Sequence, residues 1–220
     1  MRYNEGVKLF WDVLSKRQTE ILPRLSFLKD KNFYLAGGTA LALQIKHRTS
    51  IDFDFYIPKE FDAAKIYRQF QEQKPKKILL DTMAKDTLLL ELNDIGISLF
   101  TYPYPLLKTF IETDYLNLAS LEDIAAMKLI AIIQRGIRRD FVDLYFLIKK
   151  IGLEKIFRFT EKKYPGFNEY VALQALIYFR DTEIEENKRK INFFVPFKWE
   201  EAKKFFVSEV NKIKEKWRKK

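Results

Sequence analysis

Apolar residues in the first half of the chain follow two different spacings. Alternation with a period of two in SIDFDFYI, residues 50–57, predicts a strand with one buried face. Short apolar runs bounded by turn residues predict further strands, at 32–36, 76–81, 86–92 and 96–102, the last two joined by a hairpin turn. Helical spacing predicts helices at 39–46 and 59–73, and two helices within 6–28 that are separated near Pro23.

The second half of the chain shows helical spacing from Ser120 onward. Pro165-Gly166 and Pro196 separate the later helices. Strands followed by helices predict an α/β fold, with a mixed sheet and flanking helices, followed by a helical C-terminal domain. We expect the sheet domain, with its N-terminal helices, to cover residues 1–115 and the helical domain to cover 116–220.

The composition indicates a basic, folded protein without cysteine. Of the 220 residues 47% are hydrophobic, which is enough for a substantial core, and the formal net charge of +10 favours polyanionic partners. The lack of cysteine excludes disulfides, thiolate catalysis and cysteine zinc sites. The first residues show no apolar segment typical of a signal peptide, and no apolar run reaches the roughly 18 residues of a membrane span. We therefore expect a cytoplasmic protein with no membrane partner.

Two carboxylates interrupt the predicted strand at 50–57. Residues two apart on a strand point to the same face, roughly 7 Å apart, so Asp52 and Asp54 share one face while Phe53 and Phe55 share the other. Like charges held this close repel each other unless a cation lies between them. Carboxylates and substrate phosphate oxygens are usual ligands of Mg²⁺, so the pair predicts a site for Mg²⁺ or Mn²⁺. A solvated strand face without function is the alternative.

A glycine pair precedes these carboxylates at a predicted strand-to-helix turn. Gly37 and Gly38 let the backbone approach a phosphate, the free N–H groups of the next helix favour an anion, and Thr39 can donate a further hydrogen bond. Arg48 can steer a phosphate or a base, or can pair with a local carboxylate instead. His47, the only histidine, is interpreted as structural. The pattern predicts a site for a metal–nucleotide complex.

A lysine stands on an otherwise apolar predicted helix in the second half. Lys128 needs an anion there, unless its side chain reaches solvent. The next helical segment, 137–150, carries Asp140 and Asp143 on one face. In the functional interpretation Lys128 holds a triphosphate, while Asp140 or Asp143 orients it or polarises the acceptor. The alternative is a set of interhelix ion pairs, in which arginines such as Arg139, one helical turn before Asp143, satisfy the aspartates.

Three motifs, in this order, resemble one family. GGTALAL…HRTSIDFDFY, GISLFTYPYPLL and SLEDIAAMKLIAIIQRGIRRDFVDLYFL resemble the AbiEii/AbiGii-type toxins, nucleotidyltransferases of the DNA polymerase β-like superfamily. The resemblance covers about residues 33–147. It implies a polymerase β-like nucleotidyltransferase sheet and an NTP-dependent, Mg²⁺-requiring transfer of a nucleotidyl group to an acceptor.

The resemblance also implies roles for individual residues. The family's phosphate-binding turn matches Gly37, Gly38 and Thr39. Its metal-binding carboxylates match Asp52 and Asp54, and its downstream lysine and aspartate match Lys128 and Asp143. The helical domain would contribute its two residues to the cleft. In relatives the acceptor is the 3′ end of tRNA and the protein is the toxin of a toxin–antitoxin pair, so we expect an NTP, tRNA and a cognate antitoxin as partners.

One position departs from the wider superfamily, which often has a third carboxylate on a later strand. This chain offers Ser98 there. Glu91, Asp94 or a helix aspartate would have to replace the missing acid, or a second metal would be weakly held.

Other functions fit parts of the pattern. The acceptor could be a protein hydroxyl instead of RNA. A DxD glycosyltransferase also holds a metal between aspartates and a diphosphate, but it does not need the upstream glycines. A haloacid-dehalogenase-like phosphatase would carry Thr or Val where Phe55 and Tyr56 follow the aspartates. A catalytically inert nucleic-acid- or protein-binding module would not be expected to keep Asp52, Asp54 and Lys128 together.

Overall fold

The computed structural model of the chain describes residues 7–184 and 191–219. The chain divides into two units, Met1–Ser120 and Leu121–Lys220. The sequence placed this boundary five residues earlier, after residue 115. The first unit extends further because Asn117–Leu118 forms a short strand that pairs with Tyr34–Ala36. Two-residue strands show no periodicity, which explains why the sequence did not reveal this one.

The first unit contains the predicted strands and helices, with differences near its start. A 3₁₀ turn at Trp11–Val13 precedes α1 (Lys16–Asp30), and Pro23 lies inside that helix instead of separating two helices. Burial of Ile21, Leu22, Leu25 and Leu28 on one side of α1 outweighs the lost hydrogen bond. Gly6, the predicted start of the first helix, lies outside the described residues. The remaining elements are β1 (Tyr34–Ala36), α2 (Gly37–Ile45), β2 (Phe53–Ile57), α3 (Ala63–Glu72), β3 (Ile78–Ala84), β4 (Thr87–Leu92), β5 (Ile95–Thr101), β6 (Ile111–Glu112) and β7 (Asn117–Leu118).

In the described part of the chain these strands form one mixed sheet in the order β3-β4-β5-β2-β1-β7-β6. β2 runs parallel to β5 and antiparallel to β1, while β1 runs parallel to β7. On one face the side chains of β2, β4 and β5 are buried, among them Phe53, Phe55, Leu90 and Leu99, whereas the edge strand β3 is exposed. The opposite face is only partly buried along β2 and β5, and it therefore remains accessible next to the sheet centre.

The second unit is helical, as the sequence predicts. Its helices are α4 (Leu121–Arg135), α5 (Arg138–Ile151), α6 (Leu153–Lys163), α7 (Glu169–Ala175), α8 (Arg180–Ile184) and α9 (Trp199–Arg218). Phe141, Phe157 and Phe206 lie in its core, together with an ion pair between Lys163 Nζ and Asp123 Oδ1 at 2.7 Å. The predicted α/β fold with a helical C-terminal region is confirmed. None of the helices in the described residues combines the length and apolar character needed to cross a membrane.

Candidate active site

Asp52 and Asp54 lie at the start of the central strand β2. Asp52 immediately precedes the strand, and Asp54 pairs with Ala36 of β1 on one side and with Ser98 of β5 on the other. Both aspartates are partly exposed, whereas Phe53 between them is fully buried. The two carboxylates therefore occupy the accessible face of the sheet, at its centre.

Each carboxylate lies against a glycine of a neighbouring element. A Cβ on Gly37 would lie 2.8 Å from Asp54 Oδ2, and a Cβ on Gly96 would lie 2.7 Å from Asp52 Oδ1. Both distances are shorter than real Cβ contacts, so only glycine leaves the carboxylates in these positions. Sequence reasoning missed Gly96 as a site residue. The available signal was a glycine inside a strand, which often marks a close approach.

The turn at Gly37 and Gly38 has the backbone shape of an anion-binding nest. Gly37 has a φ of +66°, and Gly38 follows within α2. Left-handed and right-handed conformations in succession turn consecutive N–H groups toward one side, where they attract an anion. Arg48 supports this turn from within, since it is 4% exposed and a Cβ on Gly38 would lie 2.6 Å from its Nη2. Its Nη1 donates a hydrogen bond to the Thr49 carbonyl oxygen at 2.8 Å.

Two buried polar side chains hold the loop that carries Asp52. The Thr39 hydroxyl donates to the Asp52 carbonyl oxygen and lies 2.9 Å from Ser50 Oγ. The hydroxyl predicted to donate to a phosphate is thus engaged with this loop. Gln18 of α1 donates from Nε2 to the carbonyl oxygens of Ser50 and Ile51, both at 2.9 Å. Gln18 was not singled out from the sequence, because its partners lie more than 30 residues away.

The oxygen ligands of this site suit one divalent cation. Carboxylate oxygens are the hard ligands that Mg²⁺ and Mn²⁺ prefer, and Mg²⁺ commonly binds to one or two carboxylates plus substrate phosphates. Within residues 7–184 and 191–219, no cluster of three His, Cys, Asp or Glu side chains is suited to a metal ion. Asp52 and Asp54 would supply two carboxylate ligands to such a cation, and phosphate and water would have to supply the others.

The two strand-side candidates for a third carboxylate are engaged elsewhere. Glu91 Oε1 and Asp94 Oδ1 lie 2.8 Å and 2.7 Å from Lys77 Nζ. The hydrogen bonds that Lys77 donates raise the pKa of Lys77, and the bond to Asp94 contributes more than the bond to Glu91. The Lys77–Asp94 bond also lowers the pKa of Asp94. Ser98 occupies the β5 position beside Asp54, as the sequence suggested.

In the second unit, α4 and α5 bring Lys128 and both predicted aspartates together. Lys128 Nζ lies 2.8 Å from Asp140 Oδ1 and 2.7 Å from Asp143 Oδ2. Arg135 binds the same Asp140 carboxylate through Nε at 2.9 Å and Nη2 at 3.3 Å. Burial alone would raise the pKa of Asp140, but the charges and hydrogen bonds of Lys128 and Arg135 outweigh burial and lower that pKa. The interhelix ion pairs of the alternative interpretation are therefore present, with Arg135 as the arginine that binds Asp140. That Lys128 holds a triphosphate stays a prediction.

A mixed sheet with a carboxylate pair at the start of its central strand and a glycine turn beside it is the arrangement that the sequence resemblance implies for a nucleotidyltransferase. The chain belongs to the nucleotidyl transferase AbiEii toxin family of type IV toxin–antitoxin systems, whose family model matches residues 20–79 and 60–218. The family resemblance seen in the sequence is confirmed, and with it the assignment as a nucleotidyltransferase.

Known structures share the fold of this chain, and one sequence relative matches over nearly its whole length. JHP933 from Helicobacter pylori shares the fold with a TM-score of 0.59 at 18% identity, over 94% of this chain and 95% of that chain. MenT4, a nucleotidyltransferase toxin from Mycobacterium tuberculosis, has a TM-score of 0.50 at 16% identity, over 88% and 82%. At these identities the likeness shows the fold alone. The uncharacterized protein aq_aa25 of Aquifex aeolicus is 39% identical over 209 residues, 92% of this chain and 98% of that protein.

Proposed function

We propose that this protein transfers a nucleotidyl group from an NTP to the 3′-terminal hydroxyl of an RNA, with tRNA as the acceptor class, as the toxin of a pair with a cognate antitoxin. The observation that carries the proposal is the pair of same-face carboxylates, each cradled by a glycine, directly beside the glycine turn. Family membership supports the nucleotidyl donor. The net charge of +10 favours a polyanionic acceptor over a neutral one.

In this proposal the acceptor hydroxyl attacks the α-phosphorus in line. A bond forms between the acceptor oxygen and the α-phosphorus, the bond from the α-phosphorus to the bridging oxygen breaks, pyrophosphate leaves, and the hydroxyl proton is released to water. The N–H groups of Gly37 and Gly38 receive the leaving phosphates. Asp52 and Asp54 would hold Mg²⁺ or Mn²⁺, which would neutralise charge on the phosphates. Thr39 holds the loop that carries Asp52 in place, and Arg48 supports the glycine turn.

We further propose that the Lys128 ammonium group is a phosphate ligand, as the family resemblance implies. A lysine held by two carboxylates at 2.7–2.8 Å has a single orientation, which is what a preorganised phosphate ligand requires. Asp143 acts in this assignment by positioning the ammonium group. Asp140 shares that task and is itself anchored by Arg135.

The test incubates the purified protein with bulk tRNA and with each NTP labelled at the α- or the γ-phosphate. We expect label from the α-phosphate, but not from the γ-phosphate, to enter RNA in the presence of Mg²⁺ or Mn²⁺. Asp54→Asn should lower the rate by at least about 100-fold. Asp81→Asn is the matched control, because Asp81 is an exposed strand aspartate on β3 outside the site.

Three outcomes would contradict the proposal. Label confined to protein would favour a protein acceptor, and consumption of sugar nucleotides alone would favour a glycosyltransferase. Absence of transfer from every NTP, with intact folding, would favour a binding module.

A further inference from the structure

Aromatic side chains continue the carboxylate face of the sheet beyond Asp54. Tyr56 is the next residue of β2 on that face, and it pairs with Phe100 of β5. The ring centroids of Tyr56 lie 5.6 Å from Phe100 and 5.2 Å from Tyr102, and those of Tyr102 and Tyr104 lie 4.9 Å apart. We call these four residues, Tyr56, Phe100, Tyr102 and Tyr104, the aromatic row.

The aromatic row combines a rigid base with accessible rings. Tyr34 of β1 is fully buried and stacks on Tyr56 at a centroid distance of 5.9 Å. The backbone N–H of Tyr102 donates to the Ile57 carbonyl oxygen at 2.7 Å, which ties the segment after β5 to the end of β2. All four residues of the row nevertheless remain partly exposed. Preorganised, accessible tyrosine rings are the kind of surface on which nucleobases stack.

The strand register sets the direction from the glycine turn to the aromatic row. β1 and β2 are antiparallel, with Ala36 opposite Asp54 and Tyr34 opposite Tyr56. Gly37 follows Ala36, so the glycine turn lies toward the Asp52 end of β2. The aromatic row lies toward the other end, with Asp54 between the two.

In-line transfer requires the acceptor to enter opposite the leaving pyrophosphate. If the leaving phosphates occupy the glycine turn, the acceptor hydroxyl arrives from the side of the aromatic row. The base of the acceptor's terminal nucleotide, or the base of the nucleotide before it, then contacts these rings. Lys59 lies at the same end, since its carbonyl oxygen accepts a hydrogen bond from Thr101 Oγ1 at 3.4 Å, and its exposed ammonium group suits an RNA phosphate.

We propose that the aromatic row is the acceptor subsite, on which an unpaired nucleobase at the 3′ end of single-stranded RNA stacks so that its terminal hydroxyl faces the carboxylates. This inference rests on the proposed function for the direction of transfer. Stacking on tyrosine rings accepts any base, so the surface selects an unpaired RNA end and leaves sequence preference to other contacts.

The experiment measures RNA and NTP dependence separately for the full-length protein. Tyr102→Leu removes a ring of the row and keeps an apolar side chain, Tyr102→Phe keeps the ring, and Tyr170→Leu is the matched control at an exposed tyrosine of α7. The acceptors are a short single-stranded RNA and the same RNA with an abasic 3′-terminal nucleotide. We expect Tyr102→Leu to raise the KM for RNA about tenfold, with the KM for NTP unchanged. Tyr102→Phe and Tyr170→Leu should resemble the unmodified protein.

The abasic acceptor distinguishes stacking from a general loss of structure. The unmodified protein should bind it about tenfold more weakly, and Tyr102→Leu should add no further loss, because ring and base act on the same interaction. An unchanged KM for RNA, or an equal additional loss on the abasic RNA, would overturn the inference.

Failure of the proposed function is recognised separately, by the absence of label in RNA with the unmodified protein. RNA binding without NTP, followed by fluorescence anisotropy, then decides the inference. Base-dependent binding that Tyr102→Leu abolishes would support the subsite. Equal binding of intact and abasic RNA would refute it.

Discussion

Replacing Gly96 by alanine tests whether the position of the Asp52 carboxylate matters for the reaction. The added Cβ would lie 2.7 Å from Asp52 Oδ1, and ordinary contact begins at 3.4 Å, so the oxygen must move by about 0.7 Å. The clashing atom is the end of a partly exposed side chain, which can rotate at little energetic expense. A strand alanine also gains roughly 0.5–1 kcal/mol over glycine in conformational entropy. We therefore expect the free energy of unfolding to change by less than about 1 kcal/mol.

Activity should respond far more strongly than stability. Misplacement of a reacting group by about 1 Å lowers rates by as much as about 100-fold, so kcat/KM for nucleotidyl transfer should fall on the order of 10- to 100-fold. The assay follows incorporation of α-labelled nucleotide into tRNA, with urea unfolding on the same samples.

A double substitution serves as the control. In Asp52→Ala the clashing oxygen is gone, so Gly96→Ala should stabilise that background by roughly 0.5–1 kcal/mol. If Gly96→Ala alone keeps kcat/KM within about twofold while the protein stays folded, the Asp52 carboxylate does not act where this structure has it, and its metal-binding role fails.

Three further substitutions address the turn and the helical unit. Gly37→Ala should lower the free energy of unfolding by at least about 1–2 kcal/mol, because φ is +66° and the new Cβ would meet Asp54 Oδ2, and urea titration measures it. Asp140→Asn should destabilise by about 3 kcal/mol at neutral pH. Since the folded-state pKa of Asp140 is lowered, the stability from its ionised form is fully present above the unfolded-state pKa of about 3.9 and is lost as pH falls through the folded-state value, so the difference between the two proteins should begin to shrink only below about pH 4. A difference that persists unchanged at pH 2 would contradict this. Lys163→Met should destabilise by about 3–5 kcal/mol by leaving Asp123 buried without its cation, and adding Asp123→Leu should restore most of the melting temperature. A double variant no more stable than Lys163→Met would show that desolvation of the aspartate is not the cause.

The Lys128 cluster shows where sequence reasoning reaches its limit. Helical periodicity predicted that Asp140 and Asp143 share a face, and an apolar helix with one lysine predicted that Lys128 needs an anion. Which anion it meets depends on how α4 packs against α5, and periodicity contains no information about the partner helix. The structure supplies that answer through contacts of 2.7–2.8 Å within the unit.

Pro23 shows the converse case, in which a local rule failed. Proline disfavours a helix interior by about 3 kcal/mol, so the sequence predicted two helices. The apolar side of α1 contributes several buried leucine and isoleucine side chains, each worth about 1.5–3 kcal/mol, and this packing outweighs the local penalty.

The amino-acid sequence by itself determined the alternation that puts Asp52 and Asp54 on one face of β2, because side-chain direction along a strand is a property of the backbone alone. It also determined the strand-to-helix turn at Gly37 and the basic charge. Only the tertiary structure decided that Gly96 makes room for Asp52, that Gln18 holds its loop, and that Tyr56 meets Phe100 and Tyr102. These contacts join segments tens of residues apart, and strand order and register, which no local pattern specifies, bring them together.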